Sequence, residues 1–261
     1  MNDFNIGKLH FYYKFFGNHF FLVLEISHVI NHNMQAIILA GGFGTRLRAV
    51  VDDVPKPMAD ICGKPFLAHT ISNFAQQGVT EIALSVHHLP HYIRDYFGDN
   101  YNGVKILYAE EDEPLGTGGA LKHSLEILRP TKPVIATNGD TFVNINYASL
   151  YKVHIANREN ITVVVKNMQN CERYGQVILE NNIIQKFNPA GEGKGLINAG
   201  SYIINPDLFD DMPAKFSFEN DCMKPYVGKI KPRGYITDGY FIDIGIPEDY
   251  KKACEELSCF I

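Results

Sequence analysis

One short stretch limits what this chain can fold into more than any other. Residues 35–40 (Gln-Ala-Ile-Ile-Leu-Ala) are almost continuously apolar and stop at Gly41-Gly42. A strand that is apolar on both faces belongs inside a parallel sheet covered by helices, whereas a half-exposed strand alternates. Beyond it, short apolar runs and helical patterns take turns. The spacing predicts strands over 81–86, 104–108, 134–137 and 161–165, and helices over 66–77, 90–97, 117–128 and 147–156. Pro65 opens the first of those helices and Gly78 follows its end, the asymmetry expected of helix termini. Repeated βα units build an α/β, Rossmann-like doubly wound sheet, with ligands at the carboxyl ends of its strands.

After Lys166 the strands shorten. Residues 176–179 and 183–187 read as a hairpin turning at Asn181-Asn182. Strands over 196–204, 234–237 and 240–244 extend the same sheet, and a helix over 247–257 ends the pattern. Residues 1–33 differ in texture. They are rich in aromatics (Phe11, Tyr12, Tyr13, Phe15, Phe16, Phe20, Phe21), and their apolar run at 20–24 is broken by Glu25. That run is too short to span a bilayer, and no small-residue cleavage site follows it. The expectation is an N-terminal extension, 1–33, outside the fold, and a single domain over 34–261.

Composition removes several function classes. A net charge of −5 over 261 residues leaves no excess of Lys and Arg to track a nucleic-acid backbone. Cys62, Cys171, Cys222, Cys254 and Cys259 are odd in number and never spaced as CxxC, which suits reduced thiols in a cytoplasm rather than a zinc site or a disulfide framework. The ten histidines form no metal-binding pattern. No membrane partner is expected.

The loop after the first strand reads Gly41-Gly42-Phe43-Gly44-Thr45-Arg46-Leu47 and continues to Pro55-Lys56-Pro57-Met58. A P-loop would end in Gly-Lys-Ser/Thr, and a dinucleotide fingerprint would have glycine where Leu47 stands. The remaining reading is a third kind of phosphate cradle. Glycines let backbone N–H groups approach phosphate oxygens. Arg46 can fork onto two oxygens, and Lys56 is a point charge on a backbone restrained by two prolines. Two aspartates stand out elsewhere in the chain. Asp140 follows the 134–137 strand, where an aspartate is either a metal ligand or a helix cap. Asp243 interrupts an apolar strand and calls for a cation or a lysine at its side.

These residues carry a resemblance. The segment 39–47 with 55–58 is similar to the signature of the sugar-1-phosphate nucleotidyltransferases. Supporting stretches are 48–67, Arg173-Tyr174-Gly175, 195–200, Phe216-Ser217-Phe218-Glu219 and 241–250. The likeness is nearest to the branch that acts on a heptose 1-phosphate. It implies a nucleotide-diphospho-sugar transferase fold, with a nucleotide-binding half over about 34–165 and a β-rich sugar-binding half over about 166–261. It further implies transfer from GTP to D-glycero-D-manno-heptose 1-phosphate, giving GDP-heptose and pyrophosphate for surface polysaccharide. Mannose 1-phosphate or another hexose 1-phosphate, with UTP, dTTP or CTP, is the alternative. A homo-oligomer is compatible with it.

The resemblance also assigns roles. Leu39, Gly41, Gly42, Gly44, Thr45, Arg46, Glu111 and Gly116 would bind the nucleotide. Asp140 and Asp243 would be the Mg²⁺ ligands, and Arg46, Lys56, Asp140 and Asp243 the catalytic set. Gly175 and Asn198 would hold the sugar. A carboxylate at Glu111 suits guanine, whose N1–H and N2–H₂ are paired donors, where uracil and thymine offer one. A sugar phosphate is already largely dianionic near neutral pH, so it attacks without a general base; the protein has only to align it and neutralise charge. One departure stands out. Relatives carry a Glu-Lys pair ahead of the Gly195-Leu196-Ile197-Asn198 stretch, with the lysine on the sugar phosphate. Here neither Lys186 nor Lys194 falls cleanly on that position; Lys194 could reach in from its loop, or Lys186 from the strand. A non-catalytic sensing module on this fold would have lost a carboxylate or a loop cation, and none is lost.

Overall fold

The computed structural model describes residues 10–16, 19–25, 34–44, 47 and 53–260. The chain divides into two compact units, Met1–His32 and Asn33–Ile261. The first contains an antiparallel pair of strands, His10–Phe16 and His19–Glu25.

The second unit is a ten-stranded mixed sheet with helices on both faces. Its parallel centre is β1 (Met34–Leu39), β2 (Val79–Val86), β3 (Val104–Glu110) and β4 (Val134–Asn138), in the order β4-β1-β2-β3. In β1, Ala36 and Ile38 enter one apolar cluster and Ile37 enters the other. Both faces are therefore covered, the reason this segment could be almost uniformly apolar. Helices α1 (Phe66–Gln76), α2 (Pro90–Phe97) and α4 (Tyr147–Asn157) send Leu67, Ile71, Phe74, Ile93, Phe97 and Leu150 into the first cluster. Helix α3 (Gly116–Leu128) sends Leu121, Leu125 and Leu128 into the second.

Beyond a three-residue strand, β5 (Thr141–Val143), the sheet continues through β6 (Ile161–Met168), β7 (Gly175–Glu180), β8 (Ile183–Ala190), β9 (Gly195–Ile204) and β10 (Arg233–Thr237). Strand β9 joins the two halves: it runs antiparallel to β4 on one side and pairs with β6 and β7 on the other. The β7–β8 turn places Asn181 and Asn182 at φ of 52° and 62°, the left-handed pair a two-residue hairpin needs.

One expectation is corrected. The 240–244 run does not extend the main sheet. Only β11 (Phe241–Asp243) forms, and it pairs with β5 as a separate antiparallel ribbon. Phe142, Ile242 and Ile244 join Ala253 and Leu257 in a third apolar cluster with Leu47, Ile61 and Phe66, while Val143 and Phe241 pack in the first cluster. The segment after Phe216, to which the sequence pattern assigned no element, is helical. A π-helical turn, Phe218–Met223, leads into α5 (Lys224–Ile230) ahead of the terminal α6 (Pro247–Glu256). Phe218, Cys222 and Met223 are buried, but a wide turn gives them a spacing that a 3.6-residue pattern does not reveal. Among the described residues no helix is long and apolar enough to cross a membrane, and all five cysteines are free thiols.

Candidate functional site

The carboxyl ends of β1 to β4 converge on a cavity of about 340 Å³. Leu39, Gly41, Gly42, Phe43 and Gly44 line it from the loop after β1, Ser85 and His87 from the end of β2, Glu111 and Gly116 from the passage between β3 and α3, and Asn138 and Asp140 from the end of β4. Lys56 and Pro57 close it. Thr45 and Arg46, two of the expected nucleotide-binding residues, lie outside the described residues.

The glycines have local reasons. Gly44 sits at φ +60°, and a Cβ there would lie 2.9 Å from the Lys56 Cβ, so the loop packs directly on the Lys56 turn. Gly116 sits at φ +76° and a Cβ would come within 2.6 Å of the Phe216 carbonyl oxygen. It lines the cavity, but close packing of backbone on backbone already demands glycine there.

Glu111 is 9% exposed and its carboxylate is held at both ends. The Ser85 hydroxyl donates to Oε1 at 2.7 Å and the Leu115 N–H donates to Oε2 at 3.0 Å. A carboxylate has about four acceptor sites, so two remain for a ligand. His87 donates from Nδ1 to the Glu111 carbonyl at 2.7 Å, which fixes its ring beside the same cavity. Ser85 and His87 were missed from the sequence. The available signal was a serine within the apolar run 82–86, and the structure leaves it 1% exposed.

Asp140, Lys56 and Asp243 meet at the cavity edge. The Lys56 ammonium pairs with the Asp140 carboxylate. The β5–β11 ribbon sets Thr141 opposite Asp243, and the Ile244 N–H donates to the Asp140 carbonyl at 3.0 Å. Two aspartates about a hundred residues apart thus become neighbours. Burial pushes the Asp243 carboxyl up from its ordinary value and the Asp140 charge pushes it further, against Lys56, the Gly245 N–H and Arg173. The Gly245 N–H donates to Asp243 Oδ1 at 2.6 Å. Two neighbouring carboxylates, partly compensated by Lys56 and Arg173, suit a hard divalent cation with oxygen ligands; among the described residues nothing that lines the seam with them offers sulfur or imidazole.

A second cavity of about 230 Å³ adjoins the first, and the two share Leu39, Thr117 and Asn138. Gly175 and Asn198 line it, together with Arg173, Tyr174, Glu219 and Asp243. Asn198 accepts from the Gly200 N–H and donates to the Tyr202 hydroxyl. Burial and the Asp243 charge push the Tyr174 hydroxyl up to about 12, so it stays a donor. Lys194 does not belong to this set. It is exposed in the turn before β9 and lines neither cavity. The loop that carries it, 191–194, bends at solvent, because the hairpin partner of β7 ends at Ala190.

The family model for nucleotidyl transferases matches residues 35–258. A D-glycero-alpha-D-manno-heptose 1-phosphate guanylyltransferase of Aneurinibacillus thermoaerophilus is 42% identical over 231 residues, covering 87% of this chain and all of that protein. The enzyme of the same name from Campylobacter jejuni is 43% identical over 221 residues, 83% of this chain and 97% of its own length. The crystal structure of HddC from Yersinia pseudotuberculosis complexed with GMP-PN superimposes with a TM-score of 0.76 at 36% identity, covering 86% of this chain and 99% of that one. The chain belongs to the nucleotidyl transferase family.

Proposed function

We propose that this enzyme transfers a guanylyl group from GTP to D-glycero-D-manno-heptose 1-phosphate. A phosphate oxygen of the sugar attacks the α-phosphorus. The bond from that phosphorus to the oxygen bridging to the β-phosphate breaks, and pyrophosphate leaves with the electron pair. GDP-heptose is the other product, destined for surface polysaccharide. The observation that carries the reading is the seam between the two cavities, where Lys56, Asp140 and Asp243 lie together. The names borne by the relatives supply the sugar and the base.

In this reading Glu111 accepts from guanine N1–H and N2–H₂, and Leu39, Gly41, Gly42, Gly44, Thr45 and Gly116 seat the rest of the nucleotide. Lys56 neutralises the phosphate under attack, and Arg46 holds the departing pyrophosphate. Asp140 and Asp243 would hold Mg²⁺, which when bound supplies charge neutralisation and alignment of the phosphates. Gly175 and Asn198 face the sugar. The carbons and hydroxyls of the sugar need only be oriented, since its phosphate is already ionised. An enzyme of this kind draws on cytoplasmic GTP, in keeping with free thiols. Residues 1–33 stand outside the catalytic domain.

The test is pyrophosphate release across a matrix of four nucleoside triphosphates and several sugar 1-phosphates, heptose and mannose among them, with Mg²⁺. The expected maximum is GTP with the heptose 1-phosphate. A maximum with mannose 1-phosphate or another nucleotide would replace the specificity, and no release in any pair would overturn the reading.

A further inference from the structure

A sugar 1-phosphate brings nearly two negative charges to a cavity edge that already carries Asp140 and Asp243. A cation on the sugar side would offset that charge, and neither of the lysines close to the Gly195-Leu196-Ile197-Asn198 stretch in sequence reaches the cavity. Lys194 is exposed outside the cavity, and Lys186 is exposed on β8 and lines neither cavity. Among the described residues that line the second cavity, Arg173 is the one that carries a positive charge.

Its position fits the task. Arg173 immediately precedes Tyr174 and Gly175, so the backbone that approaches the sugar also carries the guanidinium. Nη1 pairs with Asp249 in the first turn of α6. Nη2 lies 3.6 Å from where a Cβ on Gly245 would stand, next to the Asp243 carboxylate. The guanidinium carbon stands 5.3 Å from the Tyr174 ring centroid. One edge of the guanidinium is therefore anchored while another faces the seam at which the two substrates must meet. A guanidinium has five donors in a fixed fork, and the Asp249 pair and the nearby Asp243 charge do not exhaust them.

We propose that Arg173 binds the phosphate of the incoming sugar 1-phosphate, with Asp249 holding the side chain ready. The proposal rests on the nucleotidyl-transfer reading. It puts a planar fork, carried by the loop before β7, on the side of the seam that neither Lys186 nor Lys194 reaches.

Steady-state kinetics with GTP and the heptose 1-phosphate test it. In Arg173→Gln the KM for the sugar 1-phosphate is expected to rise on the order of 10- to 100-fold, the loss of one charge-assisted pair, while the KM for GTP stays within about twofold. Arg173→Lys recovers part of the loss because charge remains without the fork. A merely structural role would move both KM values together and would not be rescued. An unchanged sugar KM in Arg173→Gln overturns the proposal, as does an equal rise for GTP or the same rise appearing in Lys194→Ala instead. If the wild type releases no pyrophosphate, the function proposed above fails. Calorimetric titration of heptose 1-phosphate and mannose 1-phosphate into wild type and Arg173→Gln then still decides the site, and equal affinities overturn it.

Discussion

Glu111→Gln tests the base-reading assignment at one atom. The glutamine occupies the same volume and keeps its neighbours: its carbonyl oxygen accepts the Leu115 N–H, which offers no alternative polarity, and its amide turns toward the Ser85 hydroxyl, which can accept. Orientation is therefore settled by the protein, not by the ligand. The amide then presents a donor where guanine also presents one. The change removes one charge-assisted hydrogen bond and leaves a buried donor facing another, about 1.5–3 kcal/mol. At about 1.4 kcal/mol per tenfold, kcat/KM for GTP should fall roughly 10- to 150-fold. Uracil places one N–H between two carbonyl oxygens, so kcat/KM for UTP should hold or rise. Ser85→Ala, which loosens the carboxylate without altering its charge, should cost a smaller factor, about fivefold. The assay is pyrophosphate release with each nucleotide at saturating sugar 1-phosphate, alongside a melting curve. A GTP-to-UTP ratio that does not move in Glu111→Gln, with an unaltered melting temperature, would refute the argument.

The carboxylate pair separates function from stability. Asp140→Asn and Asp243→Asn should each abolish turnover, with nucleotide binding partly retained by calorimetry, and a chelator should do the same to the wild type. Asp243→Asn should also raise the melting temperature in chelator, because it removes a buried charge that Asp140 repels while its Oδ1 still accepts from Gly245. A lower melting temperature would refute that account. His154 is 1% exposed; it accepts at Nδ1 from the Thr162 hydroxyl and donates from Nε2 to Asn205, a neutral ring. Burial holds its pKa below the ordinary histidine value, against Asn205 and Glu159. The unfolded chain therefore binds the extra proton first, so the contribution is fully present above about pH 6.5 and is lost as pH falls through the lowered value. Melting temperatures from pH 7.5 to 5 should fall less steeply in His154→Gln than in the wild type. A chain beginning at Met34 should keep the turnover of the full chain, and a large loss would bring residues 1–33 into the catalytic domain.

Much of this protein was legible one residue at a time. The uniformly apolar first strand, the glycines that end it, Lys56 between two prolines and the alternation of helix and strand periods all report local burial and backbone freedom. Each produced an element within a few residues of its observed bounds. The family signature likewise lies in one continuous loop. What required the tertiary structure was every relation between distant segments. Asp140 and Asp243 are neighbours because a three-residue ribbon is pinned by Phe142, Ile242 and Ile244 in an apolar cluster of its own, and no periodicity in so short a strand announces its partner. Glu111 is aimed by Ser85, twenty-six positions away. Lys194 looked eligible along the chain because it precedes Asn198 closely, yet β8 ends too soon to carry it inward. Arg173 looked like part of a motif, and only the packing of its loop against α6 turns it to the cavity. Periodicity records which side of an element is buried; which groups then face one another depends on register and on how the helices close over the sheet.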